Sequence, residues 1–344
     1  MSAEPRSLSQ QLLDLQLPDR MSPRQILALV ETDLEQVEQI LAKVFQSDIS
    51  ILAQAGQHVS SGGGKRIRPT LLLLTSRLCG LRGGPAILFA AMVELIHTAT
   101  LIHDDIIDHA DTRRGLPSIN RRFGEEVTVL FGDYLYLTAV SMGLEPQYVP
   151  LLKVLSETTL RMIEGELISL QRSGDLELTE AEYLDIIERK TGRLFSACGE
   201  IPALLAGLDP AACGDLKHFG MRLGTAFQLI DDLFDLSTSA ELLGKPVLSD
   251  LTEGKLTLPL ILLLRRAGAE VRAKVGTVLA EHAFRSISAA EILELATQYR
   301  TLEDTRALAD RLVAEAQKLI EPFPDSIYRT ALSDFAELVI HRPF

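Results

Sequence analysis

Residues 103–120 read HDDIIDHADTRRGLPSIN. Asp104, Asp105 and Asp108 fall close together in this run, and Arg113-Arg114 follow them. Far downstream, residues 227–236 read FQLIDDLFDL and repeat the acid spacing with Asp231, Asp232 and Asp235. Apolar residues at helical spacing precede each run: Val93, Ile96, Leu101 and Ile102 before the first, Leu223, Phe227 and Ile230 before the second. That period places both runs on helices. Residues four apart on a helix share a face, so Asp104 projects with Asp108, and Asp231 with Asp235. Carboxylates crowded in this way repel one another unless a cation stands between them. Mg²⁺ suits the role, because it is hard, oxygen-loving and bridges a few carboxylates to substrate phosphate oxygens while keeping its waters. A solvated helix face does not explain why Ile106, Ile107, Leu233 and Phe234 lie inside the two runs. The expectation is that both runs face one cavity, hold magnesium between them and bind a diphosphate ester there.

The chain has 344 residues, 47% hydrophobic and 24% charged, enough for a large core. No Pro-, Gly- or Ser-rich linker and no charge block interrupts its middle. The expected organisation is a polar N-terminal extension over residues 1–22 and a single domain over 23–344. Strand-like alternation does not recur, so the fold class is all-α. A net charge of −13 argues against nucleic acid as a partner. It also requires any phosphate site to be a local basic focus. The bases are concentrated at Lys65, Arg66 and Arg68, at Arg113 and Arg114, and at Arg121 and Arg122. Cys79, Cys198 and Cys213 lack metal-site spacing and fit packed thiols in a reducing cytoplasm. The first twenty residues lack the basic and apolar regions of a secretory signal. The expected location is therefore cytoplasmic.

Residues 26–44 carry apolar side chains at three and four and read as one amphipathic helix starting near Ser22-Pro23. A second helix follows around 49–59. Residues 60–69, SSGGGKRIRP, then place a glycine run before the apolar helix 70–79. Backbone N–H groups there can approach an anion, with Lys65 and Arg68 adding charge. The order of a P-loop is absent. His97 lies on the face of Asp104, where it can donate to a phosphate, and His103 is read as structural. Arg113 and Arg114 point in different directions and suit two phosphate groups, because the guanidinium fork binds phosphate bidentately. Helices are expected over 123–142, 151–173 and 216–236, with Thr179 and Glu182 forming a capping box at the start of another. Lys190 stands out on an otherwise apolar stretch. Gln228, one turn below Asp232, needs a partner if buried. Lys245 and Lys255 lie in loops just past the second acid run.

These motifs, in this order, resemble the trans-isoprenyl diphosphate synthases, or polyprenyl synthetases. Residues 63–69 (GGKRIRP) resemble the family's GGKRxRP motif. Residues 104–115 (DDIIDHADTRRG) resemble its first aspartate-rich motif, and FQLIDDLFD its second. Gly132-Asp133, Lys190-Thr191 and the segment LGKPVLSDLTEGKLTLPL match further family patterns along most of the chain. Leu248 stands where that segment usually has Gly, and Ser169 where a GExxQ pattern has Gln.

The resemblance implies a large helical bundle around a deep central cavity, usually a homodimer, that performs head-to-tail prenyl transfer. It gives Asp104, Asp105, Asp108, Asp231, Asp232 and Asp235 to a Mg²⁺ cluster on the allylic diphosphate. Arg113, Lys190, Lys245 and Lys255 would hold that same diphosphate. Lys65, Arg68, His97 and Arg114 would hold isopentenyl diphosphate. Thr191 and Gln228 offer oxygen dipoles to the allylic cation, with Phe227 beside them in the substrate site. Family members that make short products usually carry bulky aromatics just before the first aspartate motif. Ala99 and Thr100 are small, which points to a long product of seven isoprene units or more, and Ala99→Phe is expected to shorten it. Three alternatives stand beside this reading: a short-chain geranylgeranyl or farnesyl diphosphate synthase, a terpene cyclase, and a non-catalytic subunit of a heteromeric synthase. A cyclase needs one DDxxD and no isopentenyl site, and a non-catalytic subunit would have lost acids or bases. A long lipid product invites peripheral membrane contact, although no basic amphipathic helix supports it.

Overall fold

The computed structural model describes residues 20–113, 115–237 and 247–341. Ser22 caps the first helix through a capping box with Gln25, and Pro23 occupies its first position. That helix, α1 (Pro23–Ala28), stops at once, and α2 (Glu31–Val44) begins after a break at Leu29-Val30. The single helix expected over 26–44 is thus two, because Val30, at φ −131° and ψ 11°, leaves the helical region. Next come α3 (Ser50–Ser61), α4 (Ile67–Leu78) and α5 (Gly84–Ile107).

α5 is the centre of the molecule. By length and composition it could cross a membrane, yet 67% of its apolar window is buried inside the protein. A helix that is apolar on every side needs neighbours on every side, and α5 packs on α2, α4, α7 and α10. After it comes a feature the periodicity missed. Thr112–Arg113 (β1) and Leu116–Pro117 (β2) pair antiparallel as a minimal hairpin. Ser118 then caps α6 (Ile119–Phe123), and Gly124 separates it from α7 (Glu125–Met142), so the helix expected over 123–142 starts two residues later.

α8 (Val149–Gln171) and α9 (Glu180–Ile187, with the expected Thr179–Glu182 capping box) lead into a π-helical turn, Glu188–Gly192. α10 (Arg193–Leu205) and α11 (Pro210–Ser237) follow. The remaining elements are α12 (Ser249–Thr252), α13 (Leu258–Arg266), α14 (Ala269–Glu281), α15 (Ala289–Gln298), α16 (Thr301–Ile320) and α17 (Ile327–Ile340). α11 packs along both α10 and α16, and one hydrophobic cluster runs from Ile26 to Ile340. The all-α expectation therefore holds, and the hairpin is the only strand pair among the described residues.

α10 and α11 touch through glycines. A Cβ on Gly199 would stand 1.9 Å from the Leu216 carbonyl oxygen, and one on Gly220 would stand 2.2 Å from that of Phe195. The bare backbones meet there, and at the far end of the same seam the π-helical turn before α10 delivers Thr191, and α11 delivers Gln228, to the cavity.

Candidate active site

A cavity of about 520 Å³ opens between the ends of α5 and α11. Asp104, Asp108, Asp231 and Asp232 line it, together with Arg68, His97, Arg113, Lys190 and Lys255. The two acid runs, more than a hundred residues apart in sequence, do face one space. Asp104 sits in the last turn of α5, and Asp108 is the residue that ends it, its N–H bonded to the Asp104 carbonyl at 2.8 Å. The i, i+4 pairing survives even though the helix stops between the two carboxylates.

The six aspartates divide into two groups. Asp105 is 2% exposed and outside the cavity wall, where its carboxylate accepts a hydrogen bond from Arg113 Nε at 2.5 Å. Asp235 is also outside the wall. It accepts from Ser249 Oγ at 2.7 Å and from the Ser249 and Asp250 amides at 3.1 Å each, which anchors α12 to the end of α11. Among the described residues, no three acid, His or Cys side chains converge closely enough to cage a metal by themselves. The cavity instead is lined by carboxylates delivered from the ends of both α5 and α11. That arrangement suits a cation which shares its shell with water and a ligand's oxygens.

The electrostatics follow from burial. Burial, with Glu166 and Asp108 adding repulsion, pushes the Asp104 carboxyl up to about 6, although Lys190 and Arg113 pull the other way. Burial likewise pushes Asp232 up to about 6, against the hydrogen bonds it accepts from Tyr183 and Gln228. Asp250, buried near Asp235 and Asp232, is raised well above the usual carboxylate range. Burial favours the neutral amine at Lys255, yet Asp108 and Glu253 hold its ammonium above the ordinary lysine range. Its Nζ lies 2.8 Å from Asp108 and 2.9 Å from Glu253. An excess of buried negative charge thus confronts a few cations, and a further cation would relieve it.

A chain of hydrogen bonds fixes the wall contributed by α11. Tyr183 donates its hydroxyl to Asp232 at 2.5 Å. The Gln228 amide donates to the other oxygen of Asp232 at 2.8 Å, and Thr191 donates to Gln228 Oε1 at 2.8 Å. A threonine inside a regular helix commonly bonds back to its own turn. The π-helical turn frees Thr191 to bond across to Gln228 instead, and such turns often mark functional sites. The Gln228 carbonyl, expected to face a developing cation, is committed to Thr191. Lys190, on the same turn, pairs with Glu166 at 2.5 Å. Tyr183, Glu166 and Asp250 escaped the site reading of the sequence. Tyr183 looks like any half-apolar helix residue there, and Asp250 like a loop acid.

The remaining expected residues divide clearly. Arg68 donates to His97 Nε2 at 3.0 Å and lies over the Phe195 ring at 4.8 Å, and that ring packs against Phe227 at 5.3 Å. Phe227 lines the cavity too. Because arginine only donates, His97 Nε2 accepts and the imidazole is neutral. Lys65 is half-buried in the loop before α4 and is not among the lining residues. The neighbouring Arg66, in the left-handed region at φ 50°, is held by Glu38 and by Glu94, the latter at 2.9 Å. His103 is structural as expected: it donates to the Val129 carbonyl at 3.2 Å and fills the place of a side chain on Gly132, whose Cβ would stand 2.2 Å from its Nε2. Of the chain-length pair, Thr100 lines the cavity, whereas Ala99 is 2% exposed and packed in the core. Arg114 and Lys245 lie outside the described residues.

Of the two departures, Ser169 lines the cavity. Leu248 is fully buried and adopts φ 59°, and its N–H donates to the Asp235 carbonyl at 2.8 Å. Glycine takes that conformation at no steric cost. Leucine costs roughly 1–2 kcal/mol there and recovers it by burying its side chain.

The polyprenyl synthetase family model matches residues 49–296. An octaprenyl diphosphate synthase of Haemophilus influenzae is 36% identical over 326 residues, spanning 95% of this chain and 99% of that protein. The crystal structure of a decaprenyl diphosphate synthase from Rhodobacter capsulatus matches with a TM-score of 0.87 at 32% identity, over 93% of this chain and 98% of that one. A polyprenyl synthase from Caulobacter crescentus, complexed with calcium and isoprenyl diphosphate, gives the same TM-score at 35% identity, over 92% and 97% of the two chains. The site and the whole-length likeness agree: this chain belongs to the polyprenyl synthetase family and is a prenyltransferase.

Proposed function

We propose that the protein condenses isopentenyl diphosphate with an allylic diphosphate, head to tail and repeatedly, to make an all-trans polyprenyl diphosphate of seven isoprene units or more. The observation that carries this reading is the single cavity in which Asp104, Asp108 and Asp231 face Lys190, Lys255, Arg113, Arg68 and His97. The hard oxygens and unrelieved charge of those carboxylates fit a divalent cation, Mg²⁺ by preference. When bound, the metal would offset charge on the leaving diphosphate. Arg113, Lys190 and Lys255 hold the allylic diphosphate. Arg68 and His97, with Lys65 nearby, hold that of isopentenyl diphosphate. The allylic C–O bond breaks with its electron pair on the diphosphate, the isopentenyl double bond attacks the cation, and a proton leaves to the released diphosphate. Tyr183 and Gln228 keep Asp232 turned to the site. The apolar wall of Leu101, Met162, Ile186 and Ile187 excludes water from the cation.

The octaprenyl and decaprenyl relatives support a long product, and so does the small Thr100 in the cavity wall. Purified protein given labelled isopentenyl diphosphate, Mg²⁺ and farnesyl diphosphate should yield a ladder ending at seven units or more. A stop at three or four units would reject the long product, and no incorporation would reject the reaction. Thr100→Phe should move the end of the ladder down by at least one unit, whereas a phenylalanine at Ala99 acts first on core packing.

We also infer a homodimer. α7 exposes Val129, Leu130 and Leu137, and α8 exposes Leu160, Ile163 and Leu167, two apolar rows of helical spacing turned to solvent. Rows of this kind mark interaction surfaces. Sedimentation should give twice the chain mass for the wild type, and Leu137→Glu with Leu160→Glu should shift it toward the single chain. A wild-type protein sedimenting as a monomer would refute the pairing.

A further inference from the structure

His58 lies in the last turns of α3, is 8% exposed and was singled out by no motif. Its ring is committed on both sides. Nε2 stands 2.7 Å from the Pro117 carbonyl oxygen, and Nδ1 stands 2.8 Å from Arg122 Nη1. A carbonyl only accepts and a guanidinium only donates, so Nε2 carries the proton and Nδ1 accepts. The ring also meets Phe123 edge-on at 6.1 Å, and Arg122 lies over that same Phe123 at 5.3 Å.

What His58 joins gives it meaning. Three residues after it, α3 ends and the glycine-rich loop with Lys65 begins. Pro117 belongs to β2, which pairs with β1, the strand carrying Arg113. The Cδ1 of Leu116, at the turn end of β2, lies 3.8 Å from where a Cβ on Gly62 would stand, so the two segments run close together. Other ties at the hairpin include Arg113 on Asp105 and the Ser118 N–H on the Asp111 carbonyl at 2.9 Å. His58 is thus a polar link between the two basic segments that border the diphosphate site from outside α5.

We propose that His58 is a positioning residue for prenyl transfer: its Nε2–H bond to Pro117 fixes the hairpin against the end of α3 and so sets where Arg113 stands. This rests on the assignment of Arg113 to a substrate diphosphate. A hairpin of two residues per strand has almost no stability of its own, so an external tether governs its position. Small displacements of a phosphate-holding side chain weaken binding steeply.

The test uses the full-length enzyme with Mg²⁺ and both diphosphate substrates. His58→Phe keeps the ring edge on Phe123 but removes both polar bonds. His58→Gln keeps an N–H near the place of Nε2. His58→Asn keeps only an acceptor near the place of Nδ1. For His58→Phe and His58→Asn, KM for the allylic diphosphate should rise about tenfold, with kcat nearly unchanged. His58→Gln should restore most of the loss. A role in packing alone would lower kcat through the folded fraction and leave KM fixed, and that result overturns the proposal. So does equal rescue by Asn and Gln. Should His58→Phe not fold, the Gln and Asn pair decides the matter. Arg113→Ala separates the two levels of the argument. If it raises KM while His58→Phe does not, the tether is wrong and the site assignment stands. If it leaves KM unchanged, the site assignment fails and the tether with it.

Discussion

Asp104→Asn is expected to cut kcat roughly a thousandfold and, in the same protein freed of metal, to raise the thermal midpoint near neutral pH. The two effects have one origin. Asp104 lines the cavity with Asp108 from its own helix end and Asp231 from α11, so its charge belongs to the cation that would neutralise the diphosphate. Without that cation the charge is a burden: burial, then Glu166 and Asp108, raise its carboxyl from 3.8 to about 6. Between these values the folded protein takes up a proton that the unfolded chain does not. Its contribution to stability therefore falls as pH rises through the window, and the full cost is present above about 6. At about 1.4 kcal/mol per pH unit, the cost is up to about 3 kcal/mol. Asparagine keeps the shape and removes the charge. Differential scanning calorimetry in a chelator should show the variant a few degrees more stable than wild type near pH 8, with the gain vanishing near pH 4. Added Mg²⁺ with a diphosphate should reverse the order, because it stabilises the folded wild type by mass action. Near wild-type turnover would remove Asp104 from the metal site. A lower midpoint at pH 8 would show that the carboxylate is not under strain.

The same charge logic marks what the sequence makes legible. Asp104, Asp108 and Asp231 could be found because their spacing on apolar helices has no other economical reading, and the structure puts all three in one wall-lined space. The all-α architecture could be read from period alone, since α5 and α11 are long and strongly patterned. Asp105 and Asp235 show the limit. They share the motif, yet one turns to Arg113 and the other to the α12 amides. Which way a carboxylate turns depends on partners that only the tertiary fold supplies. The π-helical turn at Lys190-Thr191 and the hairpin at Arg113 are too short to leave a periodic signal. Tyr183 carries no mark either: its role depends on Asp232, 49 positions away. Leu248 shows the reverse case: it stands where the resemblance has Gly, and its backbone lies in the left-handed region that glycine favours.

Gly199→Ala should be the most damaging small substitution in the scaffold. Gly199 lies on α10 against α11, and its added Cβ would stand 1.9 Å from the Leu216 carbonyl oxygen and 2.7 Å from its carbon. Backbone cannot step aside as a flexible side chain does, so the helices must separate by more than an ångström along a seam otherwise packed as tightly as a crystal. The seam has no slack elsewhere, because Gly220 meets Phe195 O at 2.2 Å and Gly224 meets Phe195 Cβ at 2.7 Å in the same sense. A loss of at least about 3 kcal/mol is expected, read as a drop of at least about 5 °C in the thermal midpoint. Gly214→Ala, also on α11, is the control. Nothing lies within 4 Å of its Cβ position, so alanine there should stabilise by roughly 0.5–1 kcal/mol through helix propensity. Opposite signs for the two changes would tie the penalty to helix approach rather than to loss of glycine. Equal effects would refute the seam. The consequence reaches the chemistry, because the seam ends where Thr191 meets Gln228 at 2.8 Å and Gln228 holds Asp232. Helices pushed apart at Gly199 would pass that displacement along the seam to this contact. The fraction of Gly199→Ala that still folds should therefore turn over more slowly and need more Mg²⁺ for half-maximal rate, while Gly214→Ala should match the wild type in both.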